Sequence, residues 1–125
     1  MINPIKIMIV EDEAITAMYL QMRLKKLSYD VLKPVGSGES AIQIAKKENP
    51  NIILMDISLS GRLDGIQTAQ EISKFCETHF IFMSGYNDEE IREQVRLIKT
   101  SSYLMKPITV EAIVSIIDLQ FKQLS

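Results

Sequence analysis

Apolar runs and amphipathic segments alternate five times along this chain. Four of the runs are almost continuously apolar, which is typical of strands buried on both faces of a parallel sheet. A fifth, weaker run contains Pro34, which cannot donate a ladder hydrogen bond, so we predict an edge strand there. The predicted strands cover residues 5–10, about 31–35, 52–56, 80–84 and about 102–105.

Helical periodicity fills the intervals between these runs. We predict helices at about 13–27 and at 39–48, and three more that begin after Asp64, Asn87 and Thr109. Asp64 with Gln67, and Asn87 with Glu90, have the spacing of capping boxes. The residues predicted to face the core are Ile15, Met18, Met22 and Leu27, then Ala41, Ile42 and Ala45, then Ile66, Ala69 and Ile72, and finally Val110, Ile113, Ile117, Phe121 and Leu124. Ile91, Val95 and Ile98 also recur at helical spacing, and either core or dimer contacts are open for them.

This order of elements predicts an α/β fold, a doubly wound five-stranded parallel sheet of the (βα)5 type, formed by residues 1–125 as one domain. The net charge is −2 and there is no polybasic block, so we expect no direct nucleic-acid binding. No apolar run is long enough to cross a bilayer. The single cysteine, Cys76, fits a reducing compartment, and we expect a cytoplasmic protein.

Several strands end on a residue that can carry chemistry. Glu11 and Asp12 follow the first strand, Asp56 ends the third, and Ser84 and Lys106 follow later strands. The carboxyl ends of parallel strands share one edge of the sheet, where ligands bind in open α/β folds. Neighbouring carboxylates repel one another, and a hard cation such as Mg²⁺ relieves that repulsion.

Each of these residues also has a plainer interpretation. Glu11 and Asp12, with Glu13, could merely favour a helix N-terminus. Lys106 could be solvated, and a serine such as Ser84 is common at a strand end. Asp56 changes the balance, because a carboxylate after four apolar residues is costly unless it is used. Lys106 could then balance charge or hold a phosphoryl oxygen, and Pro107 admits a cis bond that would fix its direction.

Taken together, these residues resemble the receiver domain of two-component response regulators, and the resemblance covers essentially the whole chain. It implies the flavodoxin-like strand order 2-1-3-4-5. It also implies a signalling module rather than an enzyme. The resemblance is carried by residues 9–13, 55–57, 59, 61, 64–66, 84–86 and 103–107.

The resemblance assigns a role to each matching position. Asp56 would accept a phosphoryl group from a histidine kinase or a histidine phosphotransfer protein. Asp12 would bind Mg²⁺ directly and Glu11 through water, with Asp56 and the backbone carbonyl of Ser58 as further ligands.

The resemblance also implies a switch. Lys106 would contact the phosphoryl group, Ser84 would supply the switch hydroxyl, and Tyr103 would rotate inward. The surface formed by the fourth helix, the fifth strand and the fifth helix would then change. A homodimer through that surface is one open alternative, and the downstream partner is open too. No output domain is expected in these residues, which leaves a stand-alone regulator, a phosphorelay shuttle or part of a longer protein.

The sequence departs from the family pattern in three places. Glu11 replaces the commoner Asp, the loop 57–63 looks one residue longer, and residues 98–100 replace a common Ala-Gly-Ala. Two other functions stay open: an interaction module that works without phosphorylation, and a phosphohydrolase of the haloacid-dehalogenase type. The hydrolase would need a second aspartate where Ser58 stands.

Some residues receive only a structural interpretation. We predict that most of the seven methionines fill the core and that Cys76 acts as a small buried hydrophobe. His79 is predicted to be a strand-end residue, and Tyr86 a partly exposed loop aromatic.

Overall fold

Five parallel strands form the centre of the structure, a computed structural model that describes residues 4–85 and 89–121. Their order across the sheet is β2-β1-β3-β4-β5, which confirms the predicted fold class and strand order. The strands are β1 (Lys6–Val10), β2 (Asp30–Val31), β3 (Ile52–Asp56), β4 (His79–Ser84) and β5 (Ser101–Met105).

Helices cover both faces of the sheet, so the molecule has two cores. One core lies between the sheet and α2, α3 and α4, and the other between the sheet and α1 and α5. Among the described residues, no helix combines the length and apolarity needed to cross a membrane. The helices are α1 (Ala14–Lys26), α2 (Gly38–Glu48), α3 (Gly65–Ile72), α4 (Glu89–Arg96) and α5 (Val110–Phe121).

The helix caps predicted at Asp64 and Thr109 are present. Asp64 accepts from the Gln67 amide at 2.8 Å, and the Gln67 side chain accepts from the Asp64 amide at 3.0 Å, which forms the expected capping box. Thr109 Oγ1 accepts from the amide of Ala112 at 3.1 Å. The predictions for Tyr86, Asn87 and Leu124 lie outside the described residues.

The β2 strand is shorter than predicted, although it does lie at an edge of the sheet. It contains only two residues, and one further bridge joins Val35 to Val10. Pro34 stands between these two pairings and has no amide proton to donate. The proline therefore limits the length of β2, and it also favours the position of β2 at the edge of the sheet.

The prediction of the inward face of α1 was wrong. Ile15 and Met18 are 82% and 64% exposed, and Met22 and Leu27 are also exposed. Because each residue turns the helix by about 100°, Ala17, Leu20 and Leu24 lie on the side opposite Ile15, Met18 and Met22. Ala17, Leu20 and Leu24 pack on the sheet. Both faces are apolar, so periodicity did not identify the buried one.

The burial of the methionines also differs from the prediction. Of the six methionines that the structure describes, Met8, Met55 and Met83 lie on strands and are buried, but Met18, Met22 and Met105 are exposed, so the prediction that most fill the core does not hold for these six. Cys76 is buried as predicted, although α3 ends before it, at Ile72. His79 opens β4 as a buried strand-end residue, with Nε2 2.7 Å from Ser102 Oγ.

We expect the two faces of α1 to differ sharply in their effect on stability. Leu20→Ala leaves a hole in a closed core and should lower the free energy of unfolding by about 2–5 kcal/mol. Met18→Ala on the exposed face should change it by no more than about 0.5 kcal/mol. Urea unfolding followed by circular dichroism measures both values. Similar losses in the two variants would contradict the observed orientation of α1.

Candidate functional site

The register of the sheet brings the strand ends that carry candidate site residues to the same level. Met55 pairs with Val10, and Asp56 pairs with Met83 on the next strand. Beyond the strand pairs, the Lys106 amide donates to the Ser84 carbonyl at 2.7 Å. The carboxyl ends of β1, β3, β4 and β5 therefore form one edge, as the sequence predicted.

Three carboxylates and one ammonium group meet at this edge. One oxygen from each of Glu11, Asp12 and Asp56 lies within 4.8 Å of the other two. Lys106 Nζ lies 3.4 Å from Asp56 Oδ1 and 3.5 Å from Glu11 Oε1. Glu11 and Asp56 are buried, whereas Asp12 is exposed. The Lys106-Pro107 bond is cis, as its sequence allowed.

Burial and crowding perturb the two groups that face Asp56 most closely. Burial of Glu11, together with the neighbouring Asp56 carboxyl, raises the pKa of Glu11 to about 7. Burial by itself would lower the pKa of Lys106, but the charges of Asp56 and Glu11 outweigh it and raise that pKa. The raised pKa of Glu11 therefore reflects mainly its burial and then its contact with Asp56, and the raised pKa of Lys106 reflects its attraction to both acids.

The loop between β3 and α3 closes over the two aspartates. The Ser58 amide donates to Asp56 Oδ1 at 3.0 Å. Ser60 donates twice to Asp12 Oδ2, from its amide at 3.2 Å and from its hydroxyl at 3.1 Å. Slight burial tends to raise the pKa of Asp12, but the Ser60 hydrogen bonds outweigh that effect and lower it. Sequence reasoning missed Ser60, because nothing in its local pattern indicates a partner 48 positions away.

The cluster fits a divalent cation. Its donors are hard carboxylate oxygens, and the exposure of Asp12 leaves room for water, as Mg²⁺ sites commonly require. Glu11 Oε1 is buried and has no hydrogen-bond partner within the part of the chain that the structure describes. A cation would satisfy that atom and would relieve the repulsion between the carboxylates.

Gly65, at the start of α3, is a second residue that sequence reasoning passed over as part of the site. Its amide donates to the Ile57 carbonyl at 3.1 Å. A Cβ atom built on Gly65 would lie 2.2 Å from the Asp56 carbonyl oxygen. The missing side chain therefore lets α3 pack directly against the end of β3 and hold the Asp56 backbone in place.

Ser84 and Tyr103 lie one strand apart and outside the carboxylate cluster. Ser84 is fully buried at the end of β4, whereas Tyr103 is partly buried in the middle of β5. Tyr103 pairs with Phe82, so Ser84, two residues further on, points to the same face of the sheet. The Arg92 guanidinium of α4 lies 5.1 Å from the centre of the Tyr103 ring.

Comparison with known proteins identifies the family. Residues 7–118 match the family model of the response regulator receiver domain. The chain belongs to this family. Receiver domains belong to two-component systems, in which they accept phosphoryl groups from histidine kinases or phosphotransfer proteins, and they bind Mg²⁺ at an acidic pocket. They are generally signalling domains without catalytic turnover.

Two curated relatives are longer than this receiver domain. It is 28% identical over 116 residues to the transcriptional regulatory protein PdtaR of Mycobacterium tuberculosis, which covers 93% of this chain and 56% of that protein. It is 31% identical over 104 residues to the probable transcriptional regulator ycf27 of Porphyridium aerugineum, which covers 83% of this chain and 42% of that protein. The chain thus spans about half the length of the curated relatives it matches.

Solved structures agree with the fold. The signal receiver domain of a modulated diguanylate cyclase from Desulfovibrio desulfuricans is 31% identical, with a TM-score of 0.87, and the match covers 97% of this chain and 96% of that one. A CheY-like receiver domain from Methanospirillum hungatei gives a TM-score of 0.89 at 20% identity, with coverage of 97% and 96%. The second similarity shows the fold alone.

The raised pKa of Glu11 leads to a prediction about the metal-free receiver domain. Its folded pKa of about 7 lies above its ordinary value, so its contribution to stability is full at low pH and is lost as the pH rises through 7. At pH 8 in EDTA, Glu11→Gln should therefore raise the free energy of unfolding, by up to about 3 kcal/mol. The same variant should bind Mg²⁺ more weakly.

Urea unfolding at pH 8 and calorimetric titration with Mg²⁺ measure the two effects. Glu77→Gln is the matched control, since Glu77 is exposed near the opposite edge of the sheet. If Glu11→Gln destabilised the metal-free protein, the charged form of Glu11 would not be disfavoured by its burial and by Asp56, as the raised pKa requires.

Proposed function

We propose that this receiver domain accepts a phosphoryl group on Asp56, with Mg²⁺ held by Glu11, Asp12, Asp56 and the backbone carbonyl of Ser58. The observation that carries this proposal is the position of the buried Asp56 carboxylate. It lies 3.4 Å from Lys106 Nζ and within the same cluster as Glu11 and Asp12. A buried carboxylate in this position combines a nucleophilic oxygen with neighbours that can neutralise an incoming phosphoryl group.

The transfer needs little beyond positioning and charge compensation. An oxygen of Asp56 forms a bond to phosphorus, and the bond from phosphorus to the donor histidine nitrogen breaks. That nitrogen keeps the electron pair. Bound Mg²⁺ would supply positive charge to the phosphoryl oxygens. Lys106, which already faces Asp56, would contribute a second positive charge and remain beside the product.

The phosphoryl group would also act on the neighbouring strands. It adds about two negative charges and strong hydrogen-bond acceptors at the end of β3. We propose that the Ser84 hydroxyl moves toward those acceptors and that Tyr103 moves inward on the same face of the sheet. Tyr103 lies against Arg92 of α4, so this movement would change the surface formed by α4, β5 and α5. That surface is the proposed output surface, either toward another protein or toward a second copy.

The exposed face of α1 favours docking of the phosphodonor beside the site. Ile15, Met18, Tyr19 and Met22 expose a contiguous apolar strip on a helix that begins next to the acidic cluster. A cavity lined by Ile15, Tyr19 and Pro107, among others, joins that strip to the loop that carries Lys106. Exposed apolar patches of this kind mark interaction surfaces. A donor histidine must reach Asp56, and a donor that approached over α1 would cover this strip.

Phosphorylation at Asp56 is tested directly by intact-mass analysis. After incubation with Mg²⁺ and acetyl phosphate, the unmodified chain should gain the mass of one phosphoryl group. Asp56→Asn should gain none, because the amide is not a nucleophile. Asp118→Asn, an exposed aspartate on α5, should label like the unmodified chain. EDTA should suppress the labelling.

The outcome also separates the other functions considered. Equal labelling of the unmodified chain and Asp56→Asn would rule out Asp56 as the acceptor. No labelling and no Mg²⁺ binding would favour an interaction module that works without phosphorylation. Sustained release of phosphate from a phosphomonoester would instead indicate a hydrolase.

The donor surface is tested with a phosphorylated histidine kinase or phosphotransfer protein that labels the unmodified chain. Ile15→Ala should slow transfer from that protein about tenfold, as the loss of a central interface contact does. Its effect on labelling by acetyl phosphate, which makes no contact with α1, should be much smaller. Leu119→Ala removes another highly exposed apolar side chain, from α5, and should leave transfer unchanged. A tenfold loss with Leu119→Ala as well would argue against docking at α1.

A further inference from the structure

The loop that connects β3 to α3 is attached to both aspartates of the site by serines two positions apart. The Ser58 amide holds Asp56, and Ser60 holds Asp12 with two donors on one oxygen, Oδ2. Ser58 contacts Asp56 only through its backbone amide, and any residue except proline could provide that amide. The second attachment depends on the Ser60 side chain as well, so it is a property of this sequence.

We propose that Ser60 is a positioning residue for the metal: it orients Asp12 and so raises the affinity of the site for Mg²⁺. This inference rests on the proposed function. Asp12 is the only exposed member of the three-carboxylate cluster, so among the three its side chain has the most freedom to turn away. Its Oδ2 atom is held by Ser60, which restricts that rotation before any cation arrives.

The advantage is one of preorganisation. Ordering a free side chain costs about 0.5–1.5 kcal/mol when a ligand binds, and an existing hydrogen bond removes part of that cost. Hydrogen bonds to a metal-ligating carboxylate also fix its direction. The two Ser60 donors fall on the same oxygen of Asp12, so two hydrogen bonds, and not one, hold that oxygen in place.

The same contact links the metal to the loop. Ser58, whose carbonyl is a proposed ligand, lies two residues before Ser60, so holding Ser60 on Asp12 also limits the movement of that carbonyl. By linkage, a cation on Asp12 should in turn favour the loop position in which Ser60 reaches it. In the competing interpretation Ser60 lowers the affinity for Mg²⁺, because its hydrogen bonds to Asp12 must break before the metal binds.

Isothermal titration calorimetry with Mg²⁺ shows whether Ser60 raises or lowers the affinity for the metal, and it does not require phosphorylation. Ser60→Ala removes the hydroxyl donor and keeps the amide, and we expect Mg²⁺ affinity to fall about tenfold, the lower end of such effects. Ser60→Thr keeps the hydroxyl and should restore most of the affinity. Ser73→Ala is the control, since it removes an exposed hydroxyl that donates to the Gln70 carbonyl at the far end of α3.

Thermal unfolding in EDTA checks that each variant is folded. If Ser60→Ala does not fold, Ser60→Cys, similar in size but a poor hydrogen-bond donor, replaces it. The proposal is overturned if the affinity of the hydroxyl-deficient variant equals or exceeds that of the unmodified chain. It is also overturned if Ser60→Thr or Ser73→Ala loses as much affinity as Ser60→Ala. Failure of the unmodified chain to bind Mg²⁺ would instead refute the proposed function.

Discussion

The repulsion between carboxylates at the end of the parallel sheet is the constraint on which the rest of this structure depends. The register places one oxygen each of Glu11, Asp12 and Asp56 within 4.8 Å of one another, and within residues 4–85 and 89–121 only Lys106 forms an ion pair with them, at 3.4–3.5 Å. Burial of Glu11 and Asp56 intensifies the conflict, because water cannot screen it. Below about pH 7 protonation of Glu11 relieves part of this conflict, and at higher pH a divalent cation would relieve it.

The residues of the loop from β3 to α3 and the start of α3 hold the carboxylates in these positions. Gly65 lets α3 press against the end of β3, and the Ser58 amide fixes one oxygen of Asp56. Ser60 performs the corresponding role for Asp12. The loop from β3 to α3 therefore does more than connect two elements, since it sets the direction in which both aspartates present their oxygens.

The same sheet offers a route from the site to the surface. The Lys106 amide is bonded to the Ser84 carbonyl, so β4 and β5 are joined at the point where the phosphoryl group would lie. Two residue pairs back along β4 and β5, Tyr103 packs between the core and Arg92 of α4. β5 is one of the two edge strands and is only partly buried, which makes it a suitable place for a change at the site to become visible to a partner.

Much of this arrangement could be predicted from the sequence, because the strongest signals are local. The continuous apolar strands, the Asp64–Gln67 capping box and the strand-end acids depend on nearest neighbours and on the shared edge of a parallel sheet. The orientation of α1 could not be predicted, because Ile15 and Met18 compete with Leu20 and Leu24 and the pattern does not say which face meets the sheet.

Contacts between distant residues were also beyond the sequence patterns. Ser60 and Gly65 act through Asp12 and Asp56, and a pairing across 48 positions has no periodic signature. Ligand types can be read from residue chemistry, but the groups that hold those ligands in place depend on the tertiary fold.

A crystal structure with Mn²⁺, which prefers the same oxygen ligands as Mg²⁺ and scatters anomalously, tests the central claim most directly. We expect one strong anomalous peak at the carboxyl edge of the sheet, coordinated by carboxylate oxygens of Asp12 and Asp56, with the Glu11 carboxylate nearby. A map without a peak at that position, or with its strongest peak elsewhere on the molecule, would contradict the claim that carboxylate repulsion there creates a cation site.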